Sequence, residues 1–229
     1  VDRFAAFKWQ ALFTDWRIFV DGLGRTASTA GLALLLSLGL GVLFGMLATS
    51  PYRSGRSVSR LYVSLIQNTP LVTQIFFLYY ALPHLDVVLP TPVVGILGLG
   101  FYHGAYMAEV FRAGIQAIHR GQLEAGLSQG FTYAQTMRYV ILPQAAEIVL
   151  PPMTNQAVAL IKNSSILAMI SGGDLMFQAD SWSASTGYYG PAYLTVWLIY
   201  FSLCFPLARL AKHWEEKSAR SRSGEVKAA

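Results

Sequence analysis

Asn155, Gln156, Lys162, Asn163 and Ser164 stand in a largely apolar stretch, Pro152–Ile170, that holds no Asp or Glu. On a helix, Asn155, Ala159, Lys162 and Asn163 fall at i, i+4, i+7 and i+8 and so share a face, with Gln156 seven residues before Asn163 on its flank. Lys162 lies about ten residues into the stretch, ~15 Å along a helix axis. A second polar group, Asn68, Thr69 and Gln74, surrounds Pro70, whose missing N–H is expected to kink a helix and expose carbonyls. Such side chains can offer hydrogen bonds and one positive charge to a passing polar solute. The competing reading is interhelical bonding that glues helices together.

Covalent chemistry finds no support. His84, His103, His119 and His213 are scattered and read as interface or core residues, no nucleophile lies beside a base, and no cluster has metal-ligand spacing. No cofactor or metal is expected. The phosphate-binding pattern G-x-x-x-x-G-K-[ST] is absent, so ATP hydrolysis by that route is excluded. Cys204, the single cysteine, excludes an internal disulfide and is expected as a small buried hydrophobe. Glu109 and Arg112, three apart, are expected to pair across one helical turn.

The elements that must position these residues are membrane helices. The chain is 54% hydrophobic and 13% charged, against roughly 25% charged in soluble domains. A net charge of +5 therefore reports orientation in a membrane rather than affinity for nucleic acid. The reading is an all-α integral membrane protein of about five transmembrane helices: Arg25–Thr49, Ser59–Leu82, Val93–Ile118, Pro152–Ile170 and Tyr193–Leu210. Phe4–Asp21 mixes aromatics with Lys8, Asp15 and Arg17, as an amphipathic helix in the interface does. The expected divisions are an interfacial segment (1–24), a transmembrane domain (25–212) with a cytoplasmic loop (119–143), and a basic tail (213–229).

Arg53, Arg56 and Arg60, then Arg112, Arg120 and Arg138, then the tail mark three basic regions, whereas Pro83–Pro92 and Ser171–Ala192 hold no Lys or Arg. The positive-inside rule puts the C-terminus in the cytoplasm and the N-terminus outside, although Arg3, Lys8, Arg17 and Arg25 then lie outside. Tyr79, Tyr80, Trp182, Tyr188, Tyr189 and Trp197 are expected in the outer aromatic belt.

The longest cytoplasmic connection starts at His119. Gln122–Gln129 is expected to form a short helix ended by Gly130, and Thr132-Tyr-Ala-Gln135 has capping-box spacing for a second one. Pro143 is expected to break that second helix, and Pro151-Pro152 to mark the start of the next span. A loop this ordered reads as a docking surface, with a bland loop as the alternative.

Glu124-Ala125-Gly126, then Gly130, Val140 and Leu142-Pro143, resembles the signature loop of ABC-importer permeases, E-A-A, three residues, G, nine residues, I, one residue, L-P. Here Gly stands at the third position and Val replaces Ile; Gly126 is expected to loosen the short helix by up to ~1 kcal/mol. Asn68–Val72, Ala108–Gln116 and Lys162–Ser165 are similar to the polar amino-acid branch of that family, and Arg138–Ser165 is most like its glutamate/aspartate permeases. Glu147 departs, where many relatives carry Arg.

The resemblance implies a type I permease fold in the bacterial inner membrane, with Glu124, Ala125, Gly126, Gly130, Leu142 and Pro143 coupling to an ATP-binding-cassette ATPase dimer. It further implies a second permease subunit and an extracytoplasmic amino-acid-binding protein. The cargo it suggests is glutamate or aspartate, with Asn68, Thr69, Asn155, Gln156, Lys162, Asn163 and Ser164 along the path. Lys162, with no carboxylate near it in sequence, suits an acidic or neutral substrate better than a cationic one. The alternatives are a neutral or basic amino-acid permease and a stand-alone transporter or channel; a membrane enzyme lacks a catalytic cluster.

Overall fold

The computed structural model describes residues 5–228, with side chains to residue 216. Phe4, Arg3 and the tail side chains Lys217, Arg220, Arg222 and Lys227 lie outside the described residues. The order is α1 (Ala6–Thr14), α2 (Trp16–Thr49), α3 (Arg53–Gln67), α4 (Leu71–Phe76), α5 (Thr91–Gln116), α6 (Arg120–Ser128), α7 (Tyr133–Thr136), α8 (Leu142–Asn163), α9 (Leu175–Thr186) and α10 (Tyr189–Ala228). No strand occurs among the described residues.

The first span is longer than expected. α2 starts at Trp16 rather than Arg25, and its 34 residues reach ~51 Å at 1.5 Å per residue. Nothing between Trp16 and Arg25 breaks a helix, so the amphipathic segment divides at Asp15 into the short α1 and the first turns of α2. The inner face of α2 presents Gly22, Thr26, Ala30, Ala33, Ser37, Gly41 and Gly45, a stripe of small residues at helical spacing. Gly22 and Thr26 face Leu175 of α9, and α5 packs against the rest of the stripe. A Cβ on Gly41 would meet the Cβ of Met107 at 2.6 Å, and one on Gly45 would strike Phe111. Small residues let two backbones approach where lipid supplies no hydrophobic drive for helix pairing.

The single span expected at Ser59–Leu82 is two helices. α3 and the segment that α4 opens meet at 97°. Pro70 cannot donate a backbone bond, and the polar residues around it serve the corner that results. Asn68 Nδ2 donates to Ser64 O (2.7 Å), Thr69 Oγ1 to Leu65 O (3.0 Å), and Gln74 Nε2 to Ile66 O (2.9 Å) and Thr69 Oγ1 (2.8 Å). The freed carbonyls are thus satisfied inside the protein, which is the condition for irregular backbone at membrane depth.

α8 needs a second correction. It runs from Leu142 straight through Pro151 and Pro152, ten residues before the expected start, and a tighter 3₁₀ segment, Ser164–Ile170, continues it. Pro143 sits in the first turn of α8, where its missing N–H costs little. The chain therefore does not break at Pro143; a wide turn, Met137–Ile141, joins α7 to α8. The same device, Phe77–Ala81, precedes Leu82-Pro83. In both places one residue is inserted into the helical ladder ahead of a Leu-Pro pair.

Among the described residues, three helices are long and apolar enough to cross a membrane: Trp16–Thr49, Thr91–Gln116 and Tyr189–Glu216. The bent pair is a fourth if counted as one span. α8 has the length, at 22 residues, but its Gln, Glu, Asn and Lys residues keep it below that apolarity.

At the end of the molecule away from Arg56, Leu12 and Phe19 pack on Leu175, Ala179, Trp182, Ala192 and Val196. Trp182, expected in an interfacial belt, is instead buried, and its indole N–H donates to Asp15 Oδ2 at 2.8 Å. Cys204 is buried as expected.

Candidate substrate path and docking segment

The polar residues of α8 divide into two groups. Asn155 and Lys162, seven apart, are exposed on one side. Lys162 opens onto a cavity of ≈ 410 Å³ lined by Trp197, Tyr200, Phe201, Cys204 and Phe205 of α10. Gln156 and Asn163 are half-buried and turn toward α5. There they meet His103, whose Nδ1 lies 3.3 Å from Gln156 Oε1 and whose Nε2 lies 3.1 Å from Asn163 Nδ2. Ser164 is fully buried and donates to Ile161 O at 2.7 Å, so its hydroxyl serves the helix end. Asn68 and Thr69 are exposed at the corner they close.

His103 is the residue that sequence reasoning placed only as core or interface. It is buried, but it also bonds both Gln156 and Asn163 of α8. The available signal was an ionisable side chain in the middle of an apolar span, which by itself suggests function. Its partners are 53 and 60 residues away, beyond the reach of local pattern.

At the Arg56 end, the short helices form where the local rules place them. α6 ends at Ser128 with Gln129 as its cap, and Gly130 takes φ +88°, a left-handed conformation that a side chain rarely adopts. Gly130 N donates to Leu127 O and Phe131 N to Gly126 O, the paired bonds of a Schellman cap. Thr132 accepts from Gln135 N (3.3 Å), and Gln135 Oε1 accepts from Thr132 N (2.8 Å), completing the capping box. Glu124, Ala125, Leu127, Gly130 and Phe131 are exposed. Gly126 is buried against Thr136: a Cβ there would lie 2.5 Å from Thr136 Cγ2 and 2.9 Å from its Oγ1. Leu142 is half-buried and Pro143 exposed.

Tyr133 ties this segment to the membrane helices through a bond from its hydroxyl to Thr49 O at 3.0 Å. Partial burial raises the phenol pKa, keeping the donor protonated. Between the segment and the ends of α2 and α5 lies a cleft of ≈ 650 Å³, lined by Thr49, Arg56, His119, Leu123, Tyr133 and Met137 among others. The expected pair at the end of α5 is present: Arg112 Nη2 donates to Glu109 Oε2 at 2.7 Å, and Nη1 to Gln116 Oε1 at 2.6 Å.

An exposed helix–turn–helix hung beneath a bent and broken helix bundle is a shape with known relatives. Residues 38–220 match the family described as binding-protein-dependent transport system inner membrane component. The chain belongs to this family. It is 39% identical over 210 residues to the probable glutamine ABC transporter permease protein GlnM of Bacillus subtilis, covering 92% of this chain and 97% of that one. It is 36% identical over 202 residues to the probable amino-acid ABC transporter permease protein PatM of Vibrio harveyi, covering 87% and 90%. A crystal structure of an amino acid ABC transporter with histidines has a chain that superimposes with a TM-score of 0.83 at 32% identity, covering 91% of this chain and 97% of that one.

The chain is accordingly a multi-pass inner-membrane permease subunit of an amino-acid ABC importer, with the type I permease fold. Membership of this family implies partners that supply ATP hydrolysis and substrate capture.

Proposed function

We propose that the permease imports amino acids with uncharged or acidic side chains, glutamine, glutamate and aspartate, along the part of α8 that carries Asn155, Gln156, Lys162 and Asn163. The observation that carries this reading is Lys162, exposed in the last turn of α8 beside the cavity against α10, in a stretch, Pro152–Ile170, that holds no Asp or Glu. A cationic side chain would meet Lys162 without a counter-charge, whereas a carboxylate or a carbamoyl oxygen would find a donor. The relatives named above as probable glutamine and amino-acid permeases support the same class. In this reading Asn68 and Thr69 shape the path by holding the 97° corner, and Ser164 by ending α8.

The Arg56 end faces the cytoplasm. Glu124, Ala125, Gly126 and Gly130, with Leu142 and Pro143 behind them, present α6 to an ATPase subunit. Two permease subunits side by side, with an ATPase dimer below and a binding protein above, make the working assembly.

Uptake of labelled glutamine, glutamate, aspartate and arginine tests both parts, at matched membrane levels of the wild type, N155L, N163L and E124R. The expected result is glutamine, glutamate and aspartate uptake without arginine uptake, reduced about tenfold or more by the path variants and abolished by E124R. Arginine uptake alone would overturn the substrate class. Unchanged uptake in N155L and N163L would overturn the path, and in E124R the coupling role.

A further inference from the structure

The two bonds of His103 are unlike, and the difference assigns a direction to the path. Gln156 Oε1 can only accept, so the proton sits on Nδ1 of His103. A neutral ring then has a lone pair at Nε2, and Asn163 Nδ2 donates into it. Each amide thereby spends one end on the ring. Gln156 keeps its NH₂ group and Asn163 keeps its carbonyl oxygen, and no other hydrogen bond among the described residues engages either.

Tautomer and amides are locked together. Rotating one amide would set like against like across the ring unless the proton moved and the other amide turned as well. A second proton on the ring would likewise put an N–H against the NH₂ of Asn163 and force that amide around. His103 is also fixed from its sides, buried at 2% exposure, with Tyr102 edge-on at 5.4 Å between ring centroids.

We propose that His103 is a positioning residue that gives the substrate path a fixed polarity, a donor at Gln156 and an acceptor at Asn163. A carboxylate or carbamoyl oxygen of the cargo is received at Gln156 and an ammonium or amide N–H at Asn163. A free amide could present either end and would discriminate less. This rests on the reading that Gln156 and Asn163 line the path, and His103 acts through them without touching the cargo.

The test is direct binding of labelled glutamine and labelled glutamate to the purified permease–ATPase complex without a binding protein. H103F removes both bonds, and H103Q restores one donor and one acceptor. The expected result is a Kd about tenfold or more higher for H103F, a Kd for H103Q nearer the wild type, and melting temperatures alike for all three. A packing role would move the melting temperature of H103F and leave Kd unchanged, overturning the proposal. Should H103F fail to accumulate, H103L provides the same removal at smaller volume.

Q156L and N163L separate the two layers of argument. If neither changes Kd, or if the wild type shows no saturable binding, the path reading itself fails. If both raise Kd while H103F does not, only the positioning role of His103 fails.

Discussion

In the segment from α6 to α7, the bonds that set the shape close over five residues or fewer: the Schellman pair at Gly130 and the capping box at Thr132. Among the membrane helices, bonds also join distant parts of the chain. Tyr62 reaches Phe101 O across 39 residues, His103 reaches Gln156 and Asn163 across 53 and 60, and Thr26 holds Leu175 N across 149. The contrast follows from the solvent each region meets. Water can serve any backbone group that the exposed segment leaves open, so local capping suffices there. In lipid an open group has no partner, and each break in a helix must be answered by a side chain already in place. A docking segment built locally can keep its shape while the helices above it move.

The sharpest way to break this contrast is to attack the long-range packing at one point. Gly45→Leu drives a side chain into Phe111 where α2 crosses α5, a cost of about 3 kcal/mol or more for a contact that cannot open without parting the helices. Gly39, on the same helix, has nothing within 4 Å of its Cβ position, so Gly39→Leu is the matched control. The expected outcome is loss of monodisperse detergent-extracted protein for Gly45→Leu and wild-type behaviour for Gly39→Leu. Equal behaviour of the two would mean that close approach of α2 and α5 is not what holds the core.

Legibility in the sequence follows the same division. Gly130, Thr132 and Gln135 could be placed from sequence because each acts on neighbours within one or two turns. The bend at Pro70 was expected as a kink, but its size was not, because a 97° turn depends on Asn68, Thr69 and Gln74 closing the corner together. Pro151 and Pro152 pointed to a helix start, and the packing of Val149 and Met153 against Met107 instead carries α8 through them. Asp15 and Trp182, 167 residues apart, gave no mutual sign; the indole read as a lipid-interface anchor and proved to be a buried donor.

Asp174 combines the two kinds of bond, and so sharpens the comparison. Locally it caps α9, its Oδ2 accepting from Met176 N at 3.1 Å; globally it is buried at 2% exposure, and its Oδ1 has no hydrogen-bond partner. Burial pushes its carboxyl up to about 6 from the ordinary 3.8. A raised acid binds its proton more tightly in the folded state. The resulting stabilisation is complete below the ordinary value and is lost as the pH climbs through about 6. Above that, the charged form is disfavoured by on the order of 3 kcal/mol relative to acid. Asp174→Asn keeps a capping acceptor and removes the charge. Its melting temperature is expected to exceed the wild type at about pH 7.5 and to lose the pH dependence that Asp174 imposes between about 4 and 6. Parallel melting curves across that range would show that the cap alone governs Asp174.

The smallest effect tests a place where the exposed segment leans on packing. By helix propensity alone, Gly126→Ala should stabilise α6 by up to ~1 kcal/mol. The structure opposes this, because the new methyl would lie 2.5 Å from Thr136 Cγ2, and Thr136 is fully buried with its hydroxyl bonded to Thr132 O. Overpacking of this kind costs about 1–3 kcal/mol, so a net loss of about 1 kcal/mol is expected, read as faster amide exchange along α6. Thr136→Ala clears both offending atoms, and the double variant is expected to regain wild-type protection, giving a favourable interaction term in the cycle. A stabilised single variant would instead mean that Gly126 is merely a weak helix former. The small residue in the signature loop would then owe nothing to Thr136, and the turn from α6 into α7 would rest on its local bonds alone.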